Sequence, residues 1–267
     1  MIQILRCLPV YLLIFLCACN DNSENPAQKD LLDSTGVITE AIAAPASTTD
    51  ICWSGVLNNK IPVLLHYSIH DKTIVGAITY LNTNSKTPIK VLGSVEADNS
   101  YRMLEFEHDG NITGIITGKP TGKIFKGTWF SPKSRKELPL ELNKKDSSIE
   151  SAEVITADNE IFGSYHYQYN EDGHHGQFEL NKINDRQIAF SIFSTTSAPA
   201  RNMADVPMDT IEMTGNSFIY KIPESDSCEF KVTFYKNFLK VNYTKGNCTG
   251  QFGWNATVEG IFLKVKK

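Results

Sequence analysis

From residue 50 to 145, and again from 160 to the end, apolar and polar positions alternate with a period of two. Turn-forming residues recur about every ten positions, and helical periodicity is almost absent, so both stretches predict short β-strands. Three hairpins can be written out by register. In the first, Val63–Ile69 and Ile74–Tyr80 flank the turn Asp71-Lys72. Setting His70 against Thr73 pairs Ile69 with Ile74, Tyr67 with Gly76, Leu65 with Ile78 and Val63 with Tyr80. One face is then apolar apart from the glycine, and the other carries His66, Ser68, His70, Ala77 and Thr79. In the second, Tyr165–Glu171 and His174–Leu180 flank Asp172-Gly173, a dipeptide suited to the positive φ of a type I′ turn. This sets Tyr169 against Gly176, Tyr167 against Phe178 and Tyr165 against Leu180, with Gln168–Gln177 and His166–Glu179 on the reverse face. In the third, Cys228–Tyr235 and Phe238–Thr244 flank Lys236-Asn237, pairing Phe234 with Leu239, Val232 with Val241 and Phe230 with Tyr243. The reverse face pairs Thr233 with Lys240, Lys231 with Asn242 and Glu229 with Thr244. A one-residue slip would mix the faces, so each register is strongly specified. A further turn, Asp109-Gly110, joins Tyr101–His108 to Asn111–Thr117.

Roughly eight short strands per segment, each with one apolar face and linked by consecutive hairpins, fit an all-β fold of two tandem small up-and-down antiparallel barrels, which remove their own edges. Two-sheet β-sandwiches are the alternative. The expected domains are residues 50–145 and 160–267, with 146–159 as linker. Residues 19–49 are polar, small and mildly acidic, and are expected to form a flexible tether.

The N-terminus changes the picture from a soluble pair of domains to an exported one. Arg6 precedes an apolar run, Leu8 to Cys17, broken only by Pro9. That is the layout of a secretory signal, 1–18, and it is too short for a span of about 20 residues. The run ends in Leu16-Cys17-Ala18-Cys19, which resembles the lipobox of bacterial lipoproteins: a branched residue, two small ones, and a cysteine that is acylated and becomes residue one. The resemblance implies lipidation at Cys19 and a membrane partner through the anchor. Asn20 stands where Asp would imply retention in the inner membrane, so the outer membrane is expected, on its periplasmic face or at the cell surface.

The chain has 26 basic and 30 acidic residues, a net charge of −4. Removing Arg6 with the signal makes it one unit more negative, and no basic cluster stands out, which argues against nucleic acid as a partner. Cys52, Cys228 and Cys248 remain in the mature chain. No C-x-x-C occurs, so neither a zinc ribbon nor a thioredoxin-like site is supported. Cys228 lies opposite Lys245 in the third hairpin, three residues short of Cys248, so a bend at Lys245-Gly246 lets the two close its open end. In an exported chain they are the expected disulfide. A loop of this length is worth about 3 kcal/mol in the chain-entropy model. Cys52, beside Trp53, is left as a buried thiol.

The stretches Cys228-Glu-Phe-Lys-Val-Thr-Phe234, Cys248-Thr-Gly-Gln-Phe-Gly-Trp-Asn-Ala-Thr-Val258 and Gly260-Ile-Phe-Leu together resemble the C-terminal part of small exported bacterial proteins with calycin-like barrels, some of them lysozyme inhibitors. Thr249 and Gln251 interrupt the family's glycine pattern, and Ile261-Phe262 replaces its tyrosine. The resemblance implies a lipocalin-like barrel and carries no inhibitor loop onto particular residues.

Familiar catalytic signatures are missing: there is no G-x-S-x-G, P-loop, dinucleotide fingerprint or H-E-x-x-H. His66 and His70 share a strand face roughly 13 Å apart, too far for one metal, and read as solvated surface. His174 and His175 point to opposite faces and read as turn decoration. Glu105 and Glu107 lie roughly 6.6 Å apart along one strand. That spacing would suit paired carboxylates of a glycan-active hydrolase, but solvated carboxylates are the expected reading. No catalytic residue, metal or cofactor is expected. The expected function is binding at the cell envelope, of a glycan, a small apolar ligand or a protein. Inhibition of an envelope hydrolase such as lysozyme and glycan hydrolysis are the alternatives. The candidate contacts are the stripe Tyr165, Tyr167 and Tyr169, which either fills the barrel or stacks on a sugar, and Arg201 and Asp205 in the irregular connection Thr195–Val206.

Overall fold

Branched and aromatic residues at every second position give each strand one face that must leave water, and curling the sheet until its ends meet buries all of those faces at once. A computed structural model describes residues 49–150, 160–225 and 227–266. The signal segment 1–18, Cys19, the tether up to residue 48 and the linker residues 151–159 lie outside the described residues. The first eight strands are β1 (Thr49–Leu57), β2 (Ile61–His70), β3 (Thr73–Tyr80), β4 (Ile89–Val95), β5 (Tyr101–Phe106), β6 (Ile112–Thr121), β7 (Ile124–Ser131) and β8 (Lys136–Glu150). Each pairs with its neighbour, and β1 also pairs with β8, so the barrel is closed. β8 runs on to Glu150, within the stretch expected as linker. The second set is β9 (Gly163–Gln168), β10 (His175–Lys182), β11 (Gln187–Thr195), β12 (Met203–Glu212), β13 (Ser217–Lys221), β14 (Glu229–Tyr235), β15 (Phe238–Lys245) and β16 (Gly260–Val265). Its sheet runs β12-β11-β10-β9-β16-β15-β14-β13 and is open only between β12 and β13. There Tyr220 donates a hydrogen bond to Asp209 Oδ2 across the gap, 2.7 Å. The chain is therefore all-β, two tandem antiparallel barrels rather than sandwiches.

Hairpin β2–β3 has the expected register throughout, from His70 opposite Thr73 to Val63 opposite Tyr80. Asp71 and Lys72 both take positive φ, 45° and 64°, as a type I′ turn requires. Hairpin β14–β15 also pairs as expected from Phe230 to Tyr235. A bulge between Glu229 and Phe230 then sets Glu229 opposite Lys245 instead of Thr244, although Thr244 still donates to Glu229 Oε1 at 2.8 Å. Gly246, at φ 66°, turns the chain back, and Cys228 and Cys248 stand at disulfide distance with Cα atoms 4.5 Å apart. Cys52 is a buried thiol.

Hairpin β9–β10 is corrected by two residues. Tyr167 faces Gly176, Tyr165 faces Phe178, His166 faces Gln177 and Gln168 faces His175. The turn is longer than Asp172-Gly173. Tyr169 N–H bonds His174 O, and Gly173 N–H bonds Asn170 O. The Asn170 side chain accepts from Asp172 N–H at 2.9 Å, an Asx cap that competes with the two-residue turn. The faces are unchanged, because the side-chain period is two.

Trp53, Leu65, Tyr67, Ile78, Met103, Phe125 and Leu142 fill the first barrel, with Trp53 Nε1 donating to Tyr67 Oη at 3.0 Å. Tyr165, Phe178, Phe190, Phe230, Phe234 and Phe262 fill the second. Outward residues of the first barrel, Val75, Leu92, Leu104, Phe106 and Ile112, belong to the same buried cluster as the second barrel's core. Polar contacts fasten this seam. Gln168 N–H bonds Gly110 O at 3.0 Å, Thr73 Oγ1 meets Tyr235 Oη at 3.3 Å, and Asn170 Nδ2 donates to Pro132 O at 2.9 Å.

Candidate functional site

The three tyrosines run from core to solvent. Tyr165 is 1% exposed, packs edge-on to Phe178 and donates its hydroxyl to Ile161 O. It fills the barrel. Tyr167, 6% exposed, lies at the mouth with its ring 4.8 Å from Phe262. Gly176 opposite makes room for it, since a Cβ there would come within 2.3 Å of the Tyr167 ring. Burial pushes both phenols above their ordinary pKa. Tyr169 lies beyond the strand end, half-buried. Its ring forms T-shaped pairs with Tyr167 at 6.0 Å and with His174 at 6.2 Å, and its hydroxyl accepts from Arg102 Nη2 of the first barrel at 3.3 Å.

That hydrogen bond crosses a cleft of about 710 Å³ between the barrels. The first barrel supplies Asp71 and Lys72 from its β2–β3 turn, Ser94 to Glu96 at the end of β4, and Arg102 and Leu104 of β5. The second supplies Tyr167, Tyr169, His174, Lys240 to Asn242, Thr257 and Glu259 to Ile261. Three cations, Lys72, Arg102 and Lys240, face three carboxylates, Asp71, Glu96 and Glu259. Burial draws the Lys240 ammonium below its ordinary pKa, while Glu96 and Glu259 oppose that shift. Ser94 Oγ donates to Glu96 Oε1 at 2.7 Å. The lining mixes charged and polar side chains with Tyr167, Tyr169 and the aliphatic Val95, Leu104, Val241 and Ile261, so polar groups would fix the orientation of a ligand packed on the aromatic rings.

The other candidates are placed elsewhere. Arg201, at φ 47°, ties the Ser197–Asn202 loop to the β9–β10 turn: Nη2 donates to Glu171 O at 2.9 Å and lies 3.8 Å from Asp172 Oδ1. It also reaches His175 Nδ1 at 3.5 Å. Burial, then Arg201 and His166, hold His175 below its ordinary pKa. Asp205 is in β12 opposite Phe193, so the irregular connection ends before it. His174 is more than turn decoration, since it lines the cleft. His66 is not solvated surface either: its Nδ1 meets Asp50 Oδ2 at 2.7 Å, and Asp50 is buried.

The carboxylates Glu105 and Glu107 do not form a pair. Glu105, expected to be solvated, is 1% exposed and points into the first barrel, where Tyr80, Trp129 and Thr113 donate to it. Glu107 is exposed. A bulge between Glu105 and Phe106 breaks the alternation on which their shared face depended. Among the described residues, no three His, Cys, Asp or Glu side chains gather to hold a metal ion.

The cleft itself was missed by sequence reasoning, because it joins residues far apart in the chain. One signal pointed to it: Met103 and Leu104 are both apolar neighbours on β5, as are Ile74 and Val75 on β3. A strand apolar on both faces is covered on both. A second surface feature is Trp254, 80% exposed, whose carbonyl accepts from Asn202 Nδ2. Met203, next to Asn202, is 57% exposed. Compared with protein-family models, curated proteins and solved structures, the chain matches none of them.

Proposed function

We propose that the protein is a lipid-anchored binding protein of the bacterial cell envelope that takes its ligand in the cleft between the barrels, without chemistry. One observation carries the binding site. The cleft volume of about 710 Å³ is lined by an aromatic pair and opposed charges, within the roughly 300–1,000 Å³ of small-ligand sites. The anchor rests on Arg6, the apolar run and Leu16-Cys17-Ala18-Cys19, with Asn20 favouring the outer membrane. Acyl chains on Cys19 would bind at about 0.8 kcal/mol per buried CH₂.

Cys19→Ser should release the protein from membranes and abolish incorporation of radioactive palmitate. Equal labelling of variant and parent would sink the anchor. For the cleft, the purified mature chain is titrated calorimetrically with peptidoglycan fragments, soluble oligosaccharides and lysozyme. Small-molecule binding should weaken in Tyr169→Ala and Arg102→Ala, and a hit indifferent to both would move the site off the cleft. The second reading, inhibition of an envelope hydrolase such as lysozyme, is favoured by Trp254 and Met203, whose exposure beside the Ser197–Asn202 loop suits an aromatic anchor at a protein interface. Lysozyme binding lost in Trp254→Ala but intact in Tyr169→Ala selects that reading.

A further inference from the structure

We infer that the ligand of the inter-barrel cleft is an uncharged, hydroxyl-rich molecule, a short neutral oligosaccharide laid against the Tyr169 ring. This rests on reading the cleft as the binding site and adds the class of molecule that fits it.

The first argument is charge. The cleft sets equal numbers of cationic and anionic side chains close together, and Lys240 feels both Glu96 and Glu259. An anionic ligand drawn to Lys240 meets these carboxylates. A cationic ligand drawn to Glu96 or Glu259 meets the ammonium. Either mismatch costs most beside Lys240, which is half-buried and so less screened than the exposed Asp71, Lys72, Glu96, Arg102 and Glu259 around it. A hydroxyl avoids both, because it donates to a carboxylate and accepts from an ammonium or amide at the same time. Adjacent hydroxyls on a sugar ring offer that dual role repeatedly, and Lys240, Asn242, Thr257 and Glu259 are among the lining residues that can meet them.

The second argument is the platform. Tyr169 makes T-shaped contacts with Tyr167 and His174 and is bound at its hydroxyl by Arg102, so its ring is fixed before any ligand arrives. A preorganised aromatic face loses little entropy on binding. The apolar face of a pyranose is a flat array of C–H groups, which suits that ring, while its equatorial hydroxyls reach the charged walls. The volume leaves room for more than one ring.

The test uses the full mature chain in detergent and five defined trisaccharides in calorimetry. Three are neutral: cellotriose, maltotriose and tri-N-acetylchitotriose. One is cationic, de-acetylated chitotriose, and one is anionic, trigalacturonate. At least one neutral trisaccharide should bind, with affinity changing less than about twofold between roughly 0.02 and 0.5 M salt. Tyr169→Ala should weaken it roughly tenfold at temperatures where the fold persists, while Tyr169→Phe, which keeps the ring, should stay within about threefold. A charged trisaccharide that binds more tightly than every neutral one, with steep salt dependence and sensitivity to Tyr169→Ala, overturns the class of ligand and leaves the cleft as the site. Binding untouched by both Tyr169→Ala and Lys240→Met overturns class and site together. Failure of all three neutral sugars to bind at millimolar concentration overturns the inference.

Discussion

Glu105→Ala is expected to lower the stability of the protein by about 3 kcal/mol, read as a fall in the denaturant midpoint with an unchanged slope. Glu105 Oε1 accepts from Tyr80 Oη at 2.7 Å and from Trp129 Nε1 at 2.8 Å, and Oε2 accepts from Thr113 Oγ1 at 3.4 Å. Three strands, β3, β6 and β7, are thus tied to one carboxyl on β5. Alanine leaves three donors without this acceptor, the two close ones from Tyr80 and Trp129 at about 1–3 kcal/mol each when fully buried. Tyr80 and Trp129 are only partly buried, so some of that cost is recovered by water. The cavity left by the side chain adds to it, because Gly114 beneath the carboxyl has no atoms with which to fill the space.

Glu105→Gln should behave in the opposite way above the ordinary carboxylate range. Burial raises the Glu105 pKa, and the bonds from Tyr80, Trp129 and Thr113 only partly oppose that. A carboxyl whose folded pKa is raised binds its proton more tightly when folded. Its stabilising effect is therefore complete below the ordinary carboxylate pKa and is lost as pH rises through the folded value. Glutamine keeps one carbonyl for Tyr80 and Trp129, turns its amide toward Thr113, and does not titrate. Parent and variant should match in acid, and the variant should gain as pH rises to neutrality. A parent that gains stability over the variant in that interval would show that the ionised form is the favoured one.

The hairpins show what a pattern of two can and cannot reveal. β2–β3 and β14–β15 were legible because their turns are two residues long and their apolar faces match at every rung. β9–β10 slipped by two because such a slip keeps every side chain on its own face, so alternation is blind to it. The Asn170 side chain, capping a longer turn, and the Tyr169–His174 backbone bond accompany the true register. Glu105 was misread for a related reason. It occupies an inward position by alternation, but a charged residue beside the polar Glu107 looks solvated until Tyr80 and Trp129 are seen to converge on it. Of the cleft only Tyr167 and Tyr169 were legible, as candidate ligand contacts and not as the wall between two barrels. The rest is set by how the two barrels meet, and a local pattern carries no record of that beyond the two-sided strands β3 and β5.

Gly76→Ala is expected to be as damaging as Glu105→Ala, for a reason that lies in the backbone. Gly76 faces Tyr67 across β2–β3, and Tyr67 is fully buried in the first barrel. A Cβ on Gly76 would stand 2.0 Å from His66 O and 2.6 Å from Tyr67 Cα. These are backbone atoms, so no rotamer change relieves the overlap. The strands must separate, and a closed barrel has no free edge at which to absorb the displacement. Overpacking of this kind costs about 3 kcal/mol or more, which for a chain of this size is about 10 °C in the melting transition. Gly215→Ala is the control. It has nothing within 4 Å of its Cβ but sits at φ 61°, so it should cost only about 1 kcal/mol. Equal losses in the two variants would mean that the overlap at Gly76, which has no positive φ, costs no more than the backbone strain at Gly215. A larger loss at Gly76 should reach the cleft as well, because the same hairpin ends in Asp71 and Lys72, which form its lip. Any ligand bound there should then be held less tightly by Gly76→Ala at temperatures where the fold persists, while Gly215→Ala, in the β12–β13 connection, leaves its affinity unchanged.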